Sequence, residues 1–570
     1  MRDYFEAEMR LLQEAASEFA AAHPEQARML RLGEGSDRDP YVERLLEGMA
    51  FLTSHVRSRI DESRAVISEQ LLARLCPAQV RPYPSATVLE LRPQSWRQAA
   101  QSVPSGAVVF SRPVGEAAVR CPFTLTRGLR LYPLEVHALT AQESDTGETR
   151  LSIELRAHGT TPIAGLGLGH LDFFISADRA LGTSLYALLT GALQIHARAD
   201  QGPLRAAPAL RFRPVGLEDE GGLLPAGESG QLGLDLLQDY FCFRERYFFL
   251  RLEGLDDPSL GEAEQRLSLE VTAPIRLPPG HRLGAEHLRL FCVPAVNLWP
   301  MDAEPITLDH RRSEYRLDAD ASRPDAVSIQ AVESVTTRSR RSGEVSELRP
   351  LHRLHPGQRA RYFHATRHSH GSDSAHTYLQ LGGGEATETE TLSARVLACN
   401  GHLPRRHLGE GDVCEPGADF PSDLRVRNLG RPSPCYPPPA PLEHPLRLHG
   451  FLAASVGSLA DAPTLRRLLH LMDWSERPEN RQRINALSAI RARPLHCLRH
   501  GLLQRGLCLE AEVEEGAFLS LADMRLFGDV LHAYLAGAAA VNEFVSLSIT
   551  TQPRHRELKW PPRTGQSSPL

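Results

Sequence analysis

Lysine is almost missing. Of 64 basic residues in 570, Lys559 is the only lysine, and it stands in the proline-rich context RELKWPPRTG. A phosphate loop needs a lysine after its glycines. Kinase chemistry needs one on a strand, and Schiff-base chemistry needs a desolvated one. Those nucleotide and pyridoxal enzymes are excluded. Cysteine is sparse and unordered: nine residues, an odd number, with no Cys-x-x-Cys pair. That pattern is neither a disulfide framework nor a zinc ribbon. Long apolar runs are missing too. The small-apolar stretch Tyr534 to Val541 is far too short to span a bilayer. The opening MRDYFEAEMRLLQEAASEF is acidic and interrupted by charge, unlike a signal peptide. A net charge of -6 gives no bulk basis for nucleic-acid binding. We therefore expect a cytoplasmic protein with no nucleic-acid partner, no direct membrane insertion and no cofactor.

What is present is ordinary globular composition, 42% hydrophobic and 24% charged, in a chain too long for one core. The pattern predicts an α+β, multidomain fold: an N-terminal helical arm, β-rich wing domains, and a mixed α/β C-terminal part. Expected boundaries are 1–85 (helical), 86–281 (β-rich with one inserted helix), 282–430 (β-rich), 431–445 (a proline-rich extended linker) and 446–570 (α+β). In the first helix Phe5, Met9, Leu12, Ala16 and Phe19 follow a three-four spacing. Asp39 and Pro40 cap and start a second helix, and a third is expected from Ser63 to Cys76, stopping at Pro77. Runs such as ATVLELRP, RLSIELRAHG and RLSLEVTAPIRL read as strands, and SADRALGTSLYALLTGAL as the inserted helix. Near the end, Ser520 and Asp523 suit a capping box for a final helix, where Gly537 and Ala538 to Ala540 permit close backbone approach.

Candidate chemistry is thin. ARYFHATRHSHGSDSAH offers His364, His368 and His370, with Asp373 and His376 nearby. On a strand His368 and His370 share a face, and imidazoles bind zinc. This supports one rival function, a metal-dependent hydrolase. The competing reading is a Ser- and Gly-rich solvated loop in a chain with 24 histidines. His496, Cys497 and His500 lack a second ligand pair. Gly165, Gly167 and Gly169 lack dinucleotide-fingerprint spacing and read as a turn. Glu218, Asp219 and Glu220 read as a solvated loop, and the arginine-rich TTRSRRSGE as either a loop or a site for bidentate ion pairs.

A series of ordered blocks then carries a resemblance over nearly the whole chain. They are DPYVERLLEGMAFL, RIDE, LLARLCPAQVRPYPSA, CPFTLTRGLRLYPLEV, PVGLEDEGGLLP, LDLLQDYFCFRERYFFLRLEGL, FCVPAVNLW, AEPITLDHRRSEYRL, LACNGHLP and RLFGDVLHAYLAGAAAVNEFVSL, ending at WPPRTGQ. In these the chain resembles the TssF (VasA/ImpG) family, the baseplate wedge subunits of the type VI secretion system. One departure lies at Leu446 to Leu459, where a Trp- and Asn-containing segment is usual. The resemblance implies a structural, non-enzymatic role. Two copies would join one TssG-like subunit, linking a VgrG-like spike hub, a TssE-like sheath initiator and TssK-like adaptor trimers at the cytoplasmic face of the inner membrane. A wedge protein of another contractile phage-tail-like machine is a further alternative.

The stretch DPYVERLLEGMAFLTSHVRSRID sharpens that expectation. At about 100° per residue, Val42, Leu45, Leu46, Met49, Leu52, Val56 and Ile60 fall within an arc of about 120°. Burying these seven contributes roughly 10–20 kcal/mol before chain entropy is subtracted. Phe51 points about 180° from Val42. It either packs under its own chain or anchors a second, intermolecular contact. The candidate interface residues are these eight together with Phe5, Met9, Leu12 and Phe19.

Overall fold

The computed structural model describes residues 2–29, 39–95, 100–145, 147–159, 161–217, 222–224, 232–257, 263–354, 360–370, 374–383, 389–439, 443–452, 454–499 and 502–565. The chain divides into two compact units. One comprises Met1–Ala73 and Pro439–Leu452, the other Arg74–Pro438 and Ala453–Leu570. The α+β class is as expected.

The smaller unit is helical: α1 (Arg2–Ala22), α2 (Pro24–Met29), α3 (Pro40–Leu75) and the helix Glu443–Leu452. At the start of α3 the Asp39 carboxylate accepts a bond from the Tyr41 N–H at 2.9 Å, as an N-cap should. The break expected before Ser63 does not occur, and α3 runs unbroken for 36 residues. The polar run Asp61 to Arg64 resembles a helix start, but no glycine or proline separates Gly48 from Pro77. Every residue in between tolerates helical geometry, so propagation wins over a new nucleus. Termination comes at Pro77, which opens a short 3-10 turn, Pro77–Val80.

Sheets dominate the larger unit. A six-stranded sheet runs Val413–Pro416, Val108–Ser111, Pro122–Leu125, Cys292–Val296, Ala86–Pro93, Leu424–Asn428. It draws its strands from widely separated parts of the chain. Its two end strands pack against each other. Asn428 clasps that seam: Nδ2 donates to the Gly409 and Gly430 carbonyls at 2.9 and 2.7 Å, while Oδ1 accepts from Val413 N–H at 2.9 Å. A five-stranded and a four-stranded sheet follow, then an eight-stranded sheet whose core includes Leu308, Val335, Leu379, Leu392 and Val396. The TTRSRRSGE stretch ends the strand Ser328–Ser339 and turns into Val345–Pro350, closed by Ser339 N–H to Glu344 O at 3.0 Å.

Among the described residues two α-helices, not one, interrupt the first β-rich stretch: α4 (Arg179–Thr190) and α5 (Leu232–Cys242). The segment LDLLQDYFC carries no strong start signal; Leu234, Leu237 and Phe241, with Leu236 and Tyr240, do follow helical spacing around Asp235, Gln238 and Asp239, but over only nine residues beside the strand-like RYFFLRLEGL. Packing decides the outcome, since α5 crosses the C-terminal helix Leu521–Ala538 at Gly233 and Gly537, where the backbones approach closely. That helix connects the parallel strands Leu502–Glu514 and Glu543–Gln552. Gly528 lies under the Trp560 ring with no room for a Cβ.

The proline-rich stretch expected to be a linker is extended but anchored. Tyr83 and Tyr436 exchange backbone bonds at 2.8 and 2.9 Å, and Ser433 N–H donates to Ala86 O at 2.8 Å. Ser433, Cys435 and Tyr436 are buried. Residues 440–442 lie outside the described set.

Candidate functional site

The apolar arc of α3 divides into two faces. Ala50, Ser54 and Ser58, one turn apart, are buried. Val42 and Leu46, beside them, are half-buried. The large side chains are not covered. Leu45 is 71% exposed, Leu52 67% and Val56 60%. Tyr41, Met49, Ile60, Ile67 and Leu71 are exposed as well. So the seven residues expected to form one face do not act together: Val42 and Leu46 border the buried face of Ala50, Ser54 and Ser58, while Leu45, Met49, Leu52, Val56 and Ile60 face outward.

Their spacing is regular. Leu45, Val56 and Ile67 recur every eleven residues, as do Met49, Ile60 and Leu71. Eleven residues complete about three turns, so the stripe hardly drifts around the helix. From Tyr41 to Leu71 it extends for about 45 Å at about 1.5 Å per residue. Gly48 lies amid this stripe, three residues after Leu45 and four before Leu52. A Cβ there would meet nothing within 4 Å. Glycine inside a helix costs about 1 kcal/mol relative to alanine. Among the described residues nothing in the chain's own packing uses the space beside it.

Phe51 lies away from the stripe. It is 55% exposed, with its ring edge-on to His55 at 4.6 Å between centroids. It is not buried under its own chain. On α1, Phe5, Met9 and Leu12 are half-buried, in line with Ala16 and Ala20. Phe19 falls outside that line, exposed, with its ring 5.1 Å from His23. Alanine takes the inward position because the period is closer to 3.6 than to 3 at that turn. Arg57 donates to Glu8 at 2.7 Å, tying α1 to α3.

The histidine cluster lies on the hairpin Tyr362–His370 and Ser374–Gly382, where His364 stands opposite Gln380 and His368 opposite His376. His364 is buried, and burial pushes its imidazole down toward the neutral form. The side chains of His368 and His370, all of Asp373, and Glu218, Asp219 and Glu220 lie outside the described residues, as do the Cys497 side chain and His500. His496 is exposed on the strand Leu487–Arg499. Gly165 and its neighbours form a short turn, with Gly167 in the left-handed region.

Two buried ionic knots escaped the sequence reading. Asp523 does follow the Ser520 cap, whose Oγ accepts from Asp523 N–H at 3.2 Å. Its carboxylate, however, receives Arg244, Arg483 Nη2 at 2.9 Å and Leu519 N–H at 3.2 Å. Burial alone would raise this carboxyl, but the Arg244 and Arg483 charges hold it below its ordinary value. Asp239 similarly receives Arg246, the Tyr83 hydroxyl at 2.8 Å and Leu223 N–H at 3.2 Å. Both knots join segments hundreds of residues apart or on separate elements, and no local pattern announces such partners. They are sealed from solvent and brace the fold.

Bare helix surface, anchored sheets and buried ionic knots fit a structural component of a larger protein assembly. Comparison with known proteins agrees. The model of the type VI secretion system TssF family matches residues 1–567. The type VI secretion system component TssF1 of Pseudomonas aeruginosa PAO1 is 27% identical over 629 aligned residues, covering 99% of this chain and 98% of that protein. A cryo-electron microscopy structure of the type VI TssK-TssF-TssG baseplate subcomplex contains a chain 28% identical, with a TM-score of 0.79, covering 93% of this chain and 100% of that one. A chain of the type VI baseplate complex is 26% identical, with a TM-score of 0.63 and full coverage of both. The chain belongs to the TssF family, baseplate subunits of the type VI secretion system. Among the described residues no helix is long and apolar enough to cross a membrane.

Proposed function

We propose that the chain is a wedge subunit in which the outward stripe of α3 is covered by helices of other baseplate chains. Two copies assemble with one TssG-like subunit, and Phe51 on the opposite side of α3 is contacted in one copy at least. The wedge then meets TssK-like adaptor trimers, a TssE-like sheath initiator and a VgrG-like spike, at the cytoplasmic face of the inner membrane. The role is structural and includes no catalytic step. One observation carries this reading: a row of large apolar side chains about 45 Å long, left in water beside a helix glycine with open space. The solved TssK-TssF-TssG subcomplex supports the TssG-like and TssK-like partners. Size-exclusion chromatography with light scattering, on the chain alone and co-expressed with its TssG-like partner, tests it. A 2:1 complex is expected; a monomer indifferent to the partner overturns the proposal.

A further inference from the structure

The sheet face around Glu90 carries charge that the fold does not neutralise. The Glu90 side chain is 2% exposed. It accepts bonds from Arg92 Nε at 2.9 Å, Arg289 Nη1 at 2.9 Å and Arg427 Nε at 2.8 Å. Three guanidiniums on one carboxylate leave a positive surplus. Arg425 stands directly opposite Arg92 on the neighbouring strand. It is exposed and has no ion-pair partner among the described residues. Like charges facing each other across a strand pair are destabilising.

The pattern continues on the adjacent four-stranded sheet, which Arg289 joins through the strand Leu288–Leu290. There Asp172 accepts a fork from Arg251 at 2.7 and 2.9 Å, with Arg127 at 3.8 Å. Arg127 also lies over the Phe249 ring at 4.6 Å. One strand further, Glu253 holds Arg211 at 2.7 Å and Arg213 at 3.3 Å. Arg213 faces Arg251 across the strands, a second like-charge pair. Around Glu90 four guanidiniums, Arg92, Arg289, Arg425 and Arg427, stand over one buried carboxylate, while the Asp423 carboxylate, two residues before Arg425, accepts from the Ser95 hydroxyl at 3.2 Å. The outermost arginines, Arg92 and Arg211, are 61% and 67% exposed.

This surplus is local, because the whole chain has a net charge of -6. Carboxylates buried under the arginines hold the guanidinium forks in fixed orientations, so their remaining donors are ordered before any partner arrives. We propose that this arginine band is a docking surface for an acidic segment of a partner protein, whose carboxylates seat on Arg92, Arg425 and Arg211. The interleaved carboxylates Glu90, Asp172 and Glu253 would repel a continuous phosphate backbone. Spaced carboxylates along a peptide avoid them. The inference rests on different residues from the α3 stripe and stands independently of it.

The test is fluorescence anisotropy of a labelled alternating Glu-Ala peptide with the full chain. Binding is expected at low salt and is lost at about 0.5 M salt. The Arg92→Glu, Arg425→Glu double variant weakens it by at least about tenfold, and Arg425→Ala alone by a few-fold. Arg491→Glu, an exposed charge change on the C-terminal sheet, leaves it unaltered. Since Arg425 has no partner to lose, Arg425→Ala folds normally and keeps the test valid if the double variant does not. The proposal is overturned if the wild type ignores the peptide or if Arg425→Ala binds like wild type. It is equally overturned if single-stranded DNA or phosphatidylserine vesicles bind the same residues more tightly than the peptide.

Discussion

Replacing Leu52 by Asp separates the chain's own stability from its assembly. Leu52 is 67% exposed, so the isolated chain loses little packing. The main cost there is helix propensity, about 0.5 kcal/mol. In the assembled wedge the same change removes about 1–2 kcal/mol of apolar burial. It also places an unpaired carboxylate in a dry seam, at several kcal/mol more. A total of at least about 4 kcal/mol corresponds to about a thousandfold loss of affinity. Thermal melting of the Leu52→Asp chain alone should match wild type within about 2 °C. Co-purification with the TssG-like partner should fail. If the variant forms the complex at wild-type yield, the stripe is not the seam. If it unfolds alone, the stripe is buried within the chain itself and the reasoning is wrong at its first step.

Other outcomes follow from the same geometry. Gly48→Ala should stabilise the lone chain by about 0.5–1 kcal/mol while weakening the complex, because the added methyl is harmless in open space and obstructive under a partner helix. Asp523→Ala should destabilise by about 3–5 kcal/mol in denaturant titration, since it strands Arg244 and Arg483 without their counter-charge. Asn428→Ala should cost at least about 2 kcal/mol in the same titration, through the Val413 donor and the Gly409 and Gly430 acceptors it leaves unpaired. Asp235 has its carboxyl pushed up by burial to about 6, against the pull of Arg246. The fold therefore favours its protonated form. Its contribution is greatest below the unfolded value near pH 4 and is lost as pH rises through about 6. Asp235→Asn should flatten that window and raise stability at pH 7.5 by up to about 3 kcal/mol, read from melting curves at several pH values.

Much of the architecture was legible because local patterns were strong. The Asp39-Pro40 start of α3, its end before Pro77, the cap at Ser520 and the alternating strands near Leu89, Ile153 and Leu269 are all local signals. What misled was also local. Asp61 to Arg64 resembled a helix start, yet a helix already under way does not stop at polar residues. LDLLQDYFC concealed α5 because its helical spacing spans only nine residues and is closely followed by the strand-like RYFFLRLEGL. For the candidate site, periodicity found the apolar residues of α3 but not the division between them. The chain covers the arc of Ala50, Ser54, Ser58 and Leu72 and leaves Leu45, Leu52 and Val56 outward, a choice set by tertiary packing that periodicity does not carry. The arginine band was hidden because its parts lie on strands far apart in sequence. A trace did exist in the period-two arginines of RFRP and LRVRN.

The most direct test of the central claim is the reactivity of a single cysteine placed at Leu52, measured by maleimide labelling and peptide mass with and without the TssG-like partner. The claim predicts rapid labelling in the isolated chain and at least about tenfold slower labelling in the complex. Equal rates in both states would mean that the stripe stays in water after assembly, contradicting the account.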